Sequence, residues 1–208
     1  ISTGQIDCKF GAAIETGQAE QLIEMALSMP HVDLQGYHCH IGSQIFESEP
    51  FCDAADIMLA FAADVKARYG FITKYLNLGG GFGVRYVESD PVISYREKIK
   101  EVADKVYEVC ENLNFPVPAI LMEPGRSIVA DAGLTLYTVG SVKRIPGYKN
   151  YVSVDGGMPD NPRYALYGSK YTVEIANKMN EPKDLLCSVV GRCCESGDIL
   201  QENVRLTE

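Results

Sequence analysis

The feature that most constrains this chain is an alternation of long amphipathic helical patterns with short apolar runs, repeated roughly every 40 residues over the first 130 positions. From Ala19 to Met29 apolar residues recur at Ala19, Leu22, Ile23, Ala26 and Leu27, the spacing of one helix face, and Pro30 stops the pattern. Leu34 to Ile41 reads as a strand. A second helix opens at Pro50, a favourable first helical position, carries Ala54, Met58, Phe61, Ala62 and Val65 on one stripe, and closes at Gly70. Tyr75 to Leu78 is a second strand and runs into five residues of which four are glycine, Gly79-Gly80-Gly81-Phe82-Gly83. A third helix face is drawn by Ile99, Val102, Val106, Val109, Cys110 and Leu113, and Ala119 to Met122 is a third strand. Strands separated by long helices pair in parallel through crossover connections, so the pattern predicts βα units of an α/β protein.

After Ala132 the texture changes. Leu134 to Val142, Tyr151 to Val154, Tyr171 to Ile175 and Leu185 to Val190 are short, β-branched or aromatic, and separated by Gly, Pro, Asn and Asp. These read as a mostly antiparallel β region, with a domain boundary near Asp131: residues 1–131 form one part and residues 132–208 the other.

Charge and cysteine content narrow the function. The formal net charge is −9 and no basic stripe offsets it, which excludes a nucleic-acid surface and leaves any anionic ligand to local arginines. No apolar run is long enough to span a bilayer, so no membrane role is expected. The seven cysteines include no C-x-x-C pair, which suits reduced thiols in a cytoplasmic protein. Cys8, Cys39, Cys52, Cys110 and Cys187 sit in apolar or helical surroundings and read as small buried hydrophobes. With neither an initiator Met nor a signal peptide, the chain is expected to be a soluble piece of something longer.

In a parallel α/β domain ligands gather at the carboxyl ends of the strands. The three ends here are His38-Cys39-His40-Ile41-Gly42-Ser43, the glycine run, and Glu123-Pro124-Gly125-Arg126. In the last, an apolar run ends in a carboxylate, turns through Pro-Gly and presents a guanidinium, so Glu123 and Arg126 face one ligand or, alternatively, form a surface salt bridge. His38 and His40 share a strand face; a zinc pair lacks a third ligand of matching spacing, a core histidine suits His38, and an imidazole stacked on an aromatic ligand suits His40. Ser43 has a hydroxyl suited to a phosphate oxygen. The glycine run has no G-x-G-x-x-G register, yet glycines without Cβ atoms let amides close around a phosphate. In the β region, Asp155-Gly156-Gly157-Met158 is a turn, and the loop Asn161 to Tyr167 carries Arg163, Tyr164 and Tyr167. The stretch Gly191 to Asp198 sets the vicinal Cys193 and Cys194 beside Glu195, where a loop thiol could donate a proton.

Taken in order, H-x-H-I-G-S-Q, L-N-L-G-G-G-F-G, E-P-G-R-S-I-V, V-D-G-G-M, N-P-R-Y-A-L-Y and G-R-C-C-E-S-G-D resemble the diaminopimelate decarboxylases, carboxy-lyases of the fold-type III pyridoxal-phosphate group that includes ornithine decarboxylase and alanine racemase. The resemblance implies an alanine racemase-like (β/α)₈ barrel, here its C-terminal part, followed by part of a β domain, in a homodimer with shared active sites. It implies pyridoxal 5'-phosphate as cofactor, bound by His40 on the ring face, by Ser43, Gly80, Gly81, Gly125 and Arg126 at the phosphate, and by Glu123 at the ring nitrogen. Arg126, Arg163, Tyr167 and Glu195 would hold an amino-acid substrate with carboxylates at both ends, meso-2,6-diaminopimelate, on its way to L-lysine. Cys194 would protonate the α-carbon, so the implied catalytic residues are Cys194, Glu123 and His40; no metal is implied. The alternatives are a related ornithine- or arginine-type decarboxylase and a non-catalytic cofactor-binding homologue. The family's Schiff-base lysine belongs to an early strand, and no lysine here has that setting, so the piece by itself is expected to be inactive. Three strands cannot close an eight-stranded barrel, which leaves the first as an open edge.

Overall fold

The computed structural model describes residues 8–208; residues 1–7, the start of the first part in the sequence reading, lie outside the described residues. Two compact units emerge, one from residues 8–84 and 91–130, the other from residues 85–90 and 131–208. The six residues Arg85–Asp90, which a single boundary near Asp131 assigns to the first part, belong with the second.

The first unit is a run of βα connections. Helix α1 (Gln18–Ser28) precedes strand β1 (Gly36–His38); α2 (Glu49–Tyr69) leads to β2 (Tyr75–Asn77), and α3 (Tyr95–Asn112) to β3 (Ala119–Leu121). The three strands are parallel in the order β1-β2-β3, with His38 opposite Asn77 and Asn77 opposite Leu121. Among the described residues β1 and β3 each pair on one side only. Each ladder is three residues long, shorter than its apolar run, because Leu34, Ile41 and Met122 lie in the flanking loops.

Helix ends follow local chemistry. Pro50 lies in the first turn of α2, Gly70 closes it at φ 70, and the Ser94 hydroxyl accepts from the Glu97 N–H at the start of α3. The core joins α2 (Phe51, Ala55, Leu59, Ala62) and α3 (Val102, Val106, Val109, Cys110) to Leu76, Leu78 and Phe82. Fully burying a side chain such as Leu59 contributes about 1.5–3 kcal/mol. The sequence-derived faces are too wide. Ile99 and Leu113 remain 45% and 40% exposed, and in α1 only Ile23 is buried.

The second unit is a four-stranded sheet in the order β4 (Val139–Ile145), β5 (Lys149–Val154), β6 (Leu185–Val190), β7 (Ile199–Leu206). The outer pairs are antiparallel and β5–β6 is parallel. The long connection after β5 returns the chain to the same end of the sheet, as a parallel pair requires. Three readings change here. Tyr171 to Ile175 is not a strand, because the Gln201 side chain takes both the Tyr171 N–H (2.7 Å) and its carbonyl (2.9 Å) in place of a ladder. The Asn161 to Tyr167 loop contains a short helix, α5 (Arg163–Tyr167), and β7 was not foreseen.

All seven cysteines are free thiols. Cys110 and Cys187 are buried, whereas Cys8, Cys39 and Cys52 are only partly covered. No helix among the described residues is long and apolar enough to cross a membrane.

Candidate active site

The parallel ladder continues past the strands as backbone bonds between loops. The Cys39 N–H donates to the Asn77 carbonyl, the Leu78 N–H to that of Leu121, and the Glu123 N–H to that of Gly79 at 2.8 Å. Such close approach needs glycine. A Cβ on Gly80 would lie 2.1 Å from the Glu123 carbonyl oxygen, and one on Gly81, at φ 115, would lie 2.1 Å from that of Gly42. Past the glycines, Ile45 bridges to Phe82, and the Gln44 side chain exchanges two 2.9 Å bonds with the Val84 backbone. Three loops are thereby fixed at one end of the sheet.

Between them lies a cavity of about 540 Å³, inside the roughly 300–1,000 Å³ range of small-molecule sites. Seven residues singled out from the sequence line it together: His40, Ser43, Gly80, Gly81, Glu123, Gly125 and Arg126. His38, Phe10, Phe82 and Ser127 line it as well. Arg126 opens a single helical turn, α4 (Arg126–Val129), which continues the Pro-Gly turn and was not foreseen.

Glu123 meets two side chains. Asn77 Nδ2 donates to its Oε1 at 2.8 Å, and His38 Nε2 lies 3.5 Å from its Oε2. Both carboxylate partners stand at register-matched positions of β1 and β2, while the Glu123 side chain keeps 57% of its surface open. His38 is half exposed and is therefore not a buried core histidine; among the described residues no group of His, Cys, Asp and Glu could hold a metal. His40 Nδ1 accepts from the Gly80 N–H at 3.4 Å, which ties the ring to the glycine loop. Burial pushes the Cys39 thiol up to about 11, so it stays protonated near neutrality and is a poor nucleophile.

Cys194, Glu195, Arg163 and Tyr167 belong to the second unit. Arg163 sits over the Tyr167 ring at 5.6 Å and donates to the Ser169 hydroxyl at 3.3 Å. Glu195 accepts from the Gly197 N–H at 3.1 Å, and Cys193 and Cys194 are both exposed. What organises this turn is Asp198, which the motif contains but the residue-level reading passes over. It is 3% exposed, and its carboxylate accepts from the Met158 N–H (2.6 Å) and the Cys193 N–H (2.7 Å). Burial alone would push the Asp198 carboxyl up, but these N–H groups and the Cys193 thiol outweigh it and hold the carboxyl below the ordinary value. A Cβ on Gly157 or Gly191 would strike that carboxylate at 2.7 or 2.2 Å, so V-D-G-G-M and G-R-C-C-E-S-G-D close around one acid.

Known proteins resemble this chain over nearly its whole length. Diaminopimelate decarboxylase of Bacillus subtilis is 48% identical over all 208 residues, which cover 47% of that protein. Among solved structures, the chain is similar to diaminopimelate decarboxylase from M. jannaschii in complex with L-lysine (TM-score 0.82, 30% identity, 97% of this chain and 45% of that one). It is likewise similar to that from Helicobacter pylori complexed with L-lysine (TM-score 0.78, 31% identity, 100% and 48%). The chain spans about half the length of the curated relatives it matches. The family described as "Pyridoxal-dependent decarboxylase, pyridoxal binding domain" matches residues 1–130, the span whose strand ends meet at the cavity. By that match the chain belongs to the pyridoxal-dependent decarboxylases.

Proposed function

We propose that the protein carrying this chain decarboxylates meso-2,6-diaminopimelate to L-lysine with pyridoxal 5'-phosphate, residues 1–130 being part of its (β/α)₈ barrel and the second unit part of a C-terminal β domain. The observation that carries the reading is the convergence of Glu123, His40, Ser43, Gly81 and Arg126 on one cavity. That cavity suits the cofactor: glycines that could not bear a Cβ bring backbone to its wall, and a hydroxyl, a guanidinium and a carboxylate line it together.

When bound, pyridoxal phosphate supplies an electron sink for the pair released as carbon dioxide leaves. The chain's own residues would do the rest. Glu123 holds a proton on the ring nitrogen, and fixed negative charge there stabilises the cationic ring. His40 offers a flat face to the ring. Ser43, Gly80, Gly81, Gly125 and Arg126 hold the phosphate. Arg126 and Arg163, with Tyr167 and Glu195, suit a substrate with a carboxylate at each end, since guanidinium forks bind carboxylates in pairs of hydrogen bonds. Cys194 gives a proton to the α-carbon, reaching the site from the partner subunit of a homodimer.

Turnover of the complete gene product tests this. Carbon dioxide release from diaminopimelate is expected; release from ornithine or arginine, with none from diaminopimelate, overturns the substrate assignment, and no cofactor-dependent release from any of the three overturns the reaction.

A further inference from the structure

We infer that Asn77 is a positioning residue that fixes the Glu123 carboxylate and the glycine loop with one amide group. The inference rests on the reading of Glu123 as the partner of the cofactor's ring nitrogen and adds the residue that aims it.

The Gly79 N–H donates to Asn77 Oδ1 at 2.9 Å, and a backbone N–H can only donate. This contact settles which end of the amide is oxygen. The other end is therefore the NH₂ group, a donor, and it lies 2.8 Å from Glu123 Oε1. Asn77 so ties Glu123, which lines the cavity, to Gly79, the residue before the lining glycines Gly80 and Gly81. Its position is dictated by the sheet. Asn77 is the register partner of His38 on one side and of Leu121 on the other, and register partners in parallel strands point to the same face. Glu123 stands two residues past Leu121 and shares that face. His38 Nε2 stands 3.5 Å from the second carboxylate oxygen, Oε2, so the hydrogen bond that orients the acid is the one from Asn77.

The test is a double-mutant cycle in the complete enzyme, with Asn77→Ala and Glu123→Gln made singly and together. It is read by cofactor absorbance and cofactor dissociation constant as well as by turnover. Loss of a charge-assisted hydrogen bond corresponds to about a 10- to 100-fold effect. Asn77→Ala should lower kcat by that factor and change the absorption of bound cofactor. KM should move by less than about threefold, while the cofactor dissociation constant rises, because Asn77 also tethers the glycine loop through the Gly79 N–H. In the Glu123→Gln background the same substitution should cost less than about threefold more. Equal losses with and without Glu123 would overturn the inference, as would an unchanged absorption spectrum in Asn77→Ala. Because absorbance and affinity are read without substrate, a wrong substrate assignment leaves this result standing. Wild-type protein that binds no pyridoxal phosphate would instead bring down the functional reading and this inference together.

Discussion

The two units each build a turn around a carboxylate, and they use it in opposite ways. In the first, Glu123 keeps more than half of its side-chain surface open and is hydrogen-bonded by the Asn77 side chain, with His38 3.5 Å away. In the second, Asp198 is 3% exposed and spends its oxygens on backbone N–H groups of two separate motifs. Glycines surround both acids, yet those beside Glu123 bring loop backbones together and leave the acid outward, whereas Gly157 and Gly191 make room for the acid itself. An acid held by side chains at an open wall is available for chemistry; one saturated by backbone donors is a structural fastening. Carboxylates in glycine-rich turns can therefore be sorted by asking what each oxygen already touches.

Five substitutions would break or sharpen that contrast. The largest effect is expected for Glu123→Gln, which keeps the shape and removes the charge: turnover should fall on the order of 100-fold or more, with cofactor affinity nearly unchanged. An equal loss in both would make Glu123 a fastening like Asp198. Next is Gly81→Ala, where φ 115 and the approach to the Gly42 carbonyl set strain of about 1–3 kcal/mol from the backbone alone, before the clash is relieved. It should lower both thermal stability and cofactor affinity; full retention of affinity would show that the loop can move apart.

Asp198→Asn should reduce stability by about 1–3 kcal/mol, since an NH₂ group then faces a backbone donor, while cofactor affinity is preserved. The pH dependence has a definite sign. Asp198 is held below the ordinary carboxylate value, so its contribution is complete above the unfolded value of about 3.9 and is lost as the pH falls through the depressed folded value. The deficit of the variant in denaturant unfolding should be constant from about pH 5 upward and shrink only in acid. A deficit that instead grew on acidification would reverse this assignment. The smallest effect is expected for the two glutamine brackets. Gln44→Ala frees the Val84 backbone and Gln201→Ala that of Tyr171, each costing about 1 kcal/mol or somewhat more where burial leaves a group unsatisfied. Only the first should also weaken cofactor binding, because it supports the glycine loop.

What the sequence disclosed depended on whether a local signal had a single physical meaning. Helices α2 and α3 were legible because Pro50, Gly70 and Ser94 mark their ends and long apolar stripes mark their faces. The three strand ends were legible because a glycine run and Glu-Pro-Gly-Arg, each ambiguous alone, both follow predicted parallel strands, where ligands gather. Strand β7 was not, since its buried positions include Gln201 and its ladder is broken between Gln201 and Val204, where Asn203 adopts φ 55 and one extra residue bulges. The reverse error arose at Leu134 and Leu136, whose apolar character suggested a strand; the ladder begins only at Val139, and both leucines are more than 70% exposed. Asn77 lay inside a recognised motif, yet its role depends on the strand register and on a carboxylate 46 residues away, which no local pattern records.

The hexapeptide Arg85–Asp90 has a practical consequence. It follows the glycine run, yet it associates with the second unit: the Tyr86 ring meets Tyr171 edge-on at 4.9 Å, and the Thr172 hydroxyl donates to the Tyr86 carbonyl. A protease or a gene truncation acting once, at residue 130, would leave these six residues on the wrong product, and the released sheet would lose a tyrosine contact that the sequence order hides. Dissecting the molecule into separately expressed halves therefore calls for grafting this short insert onto the later half instead of cutting at one point.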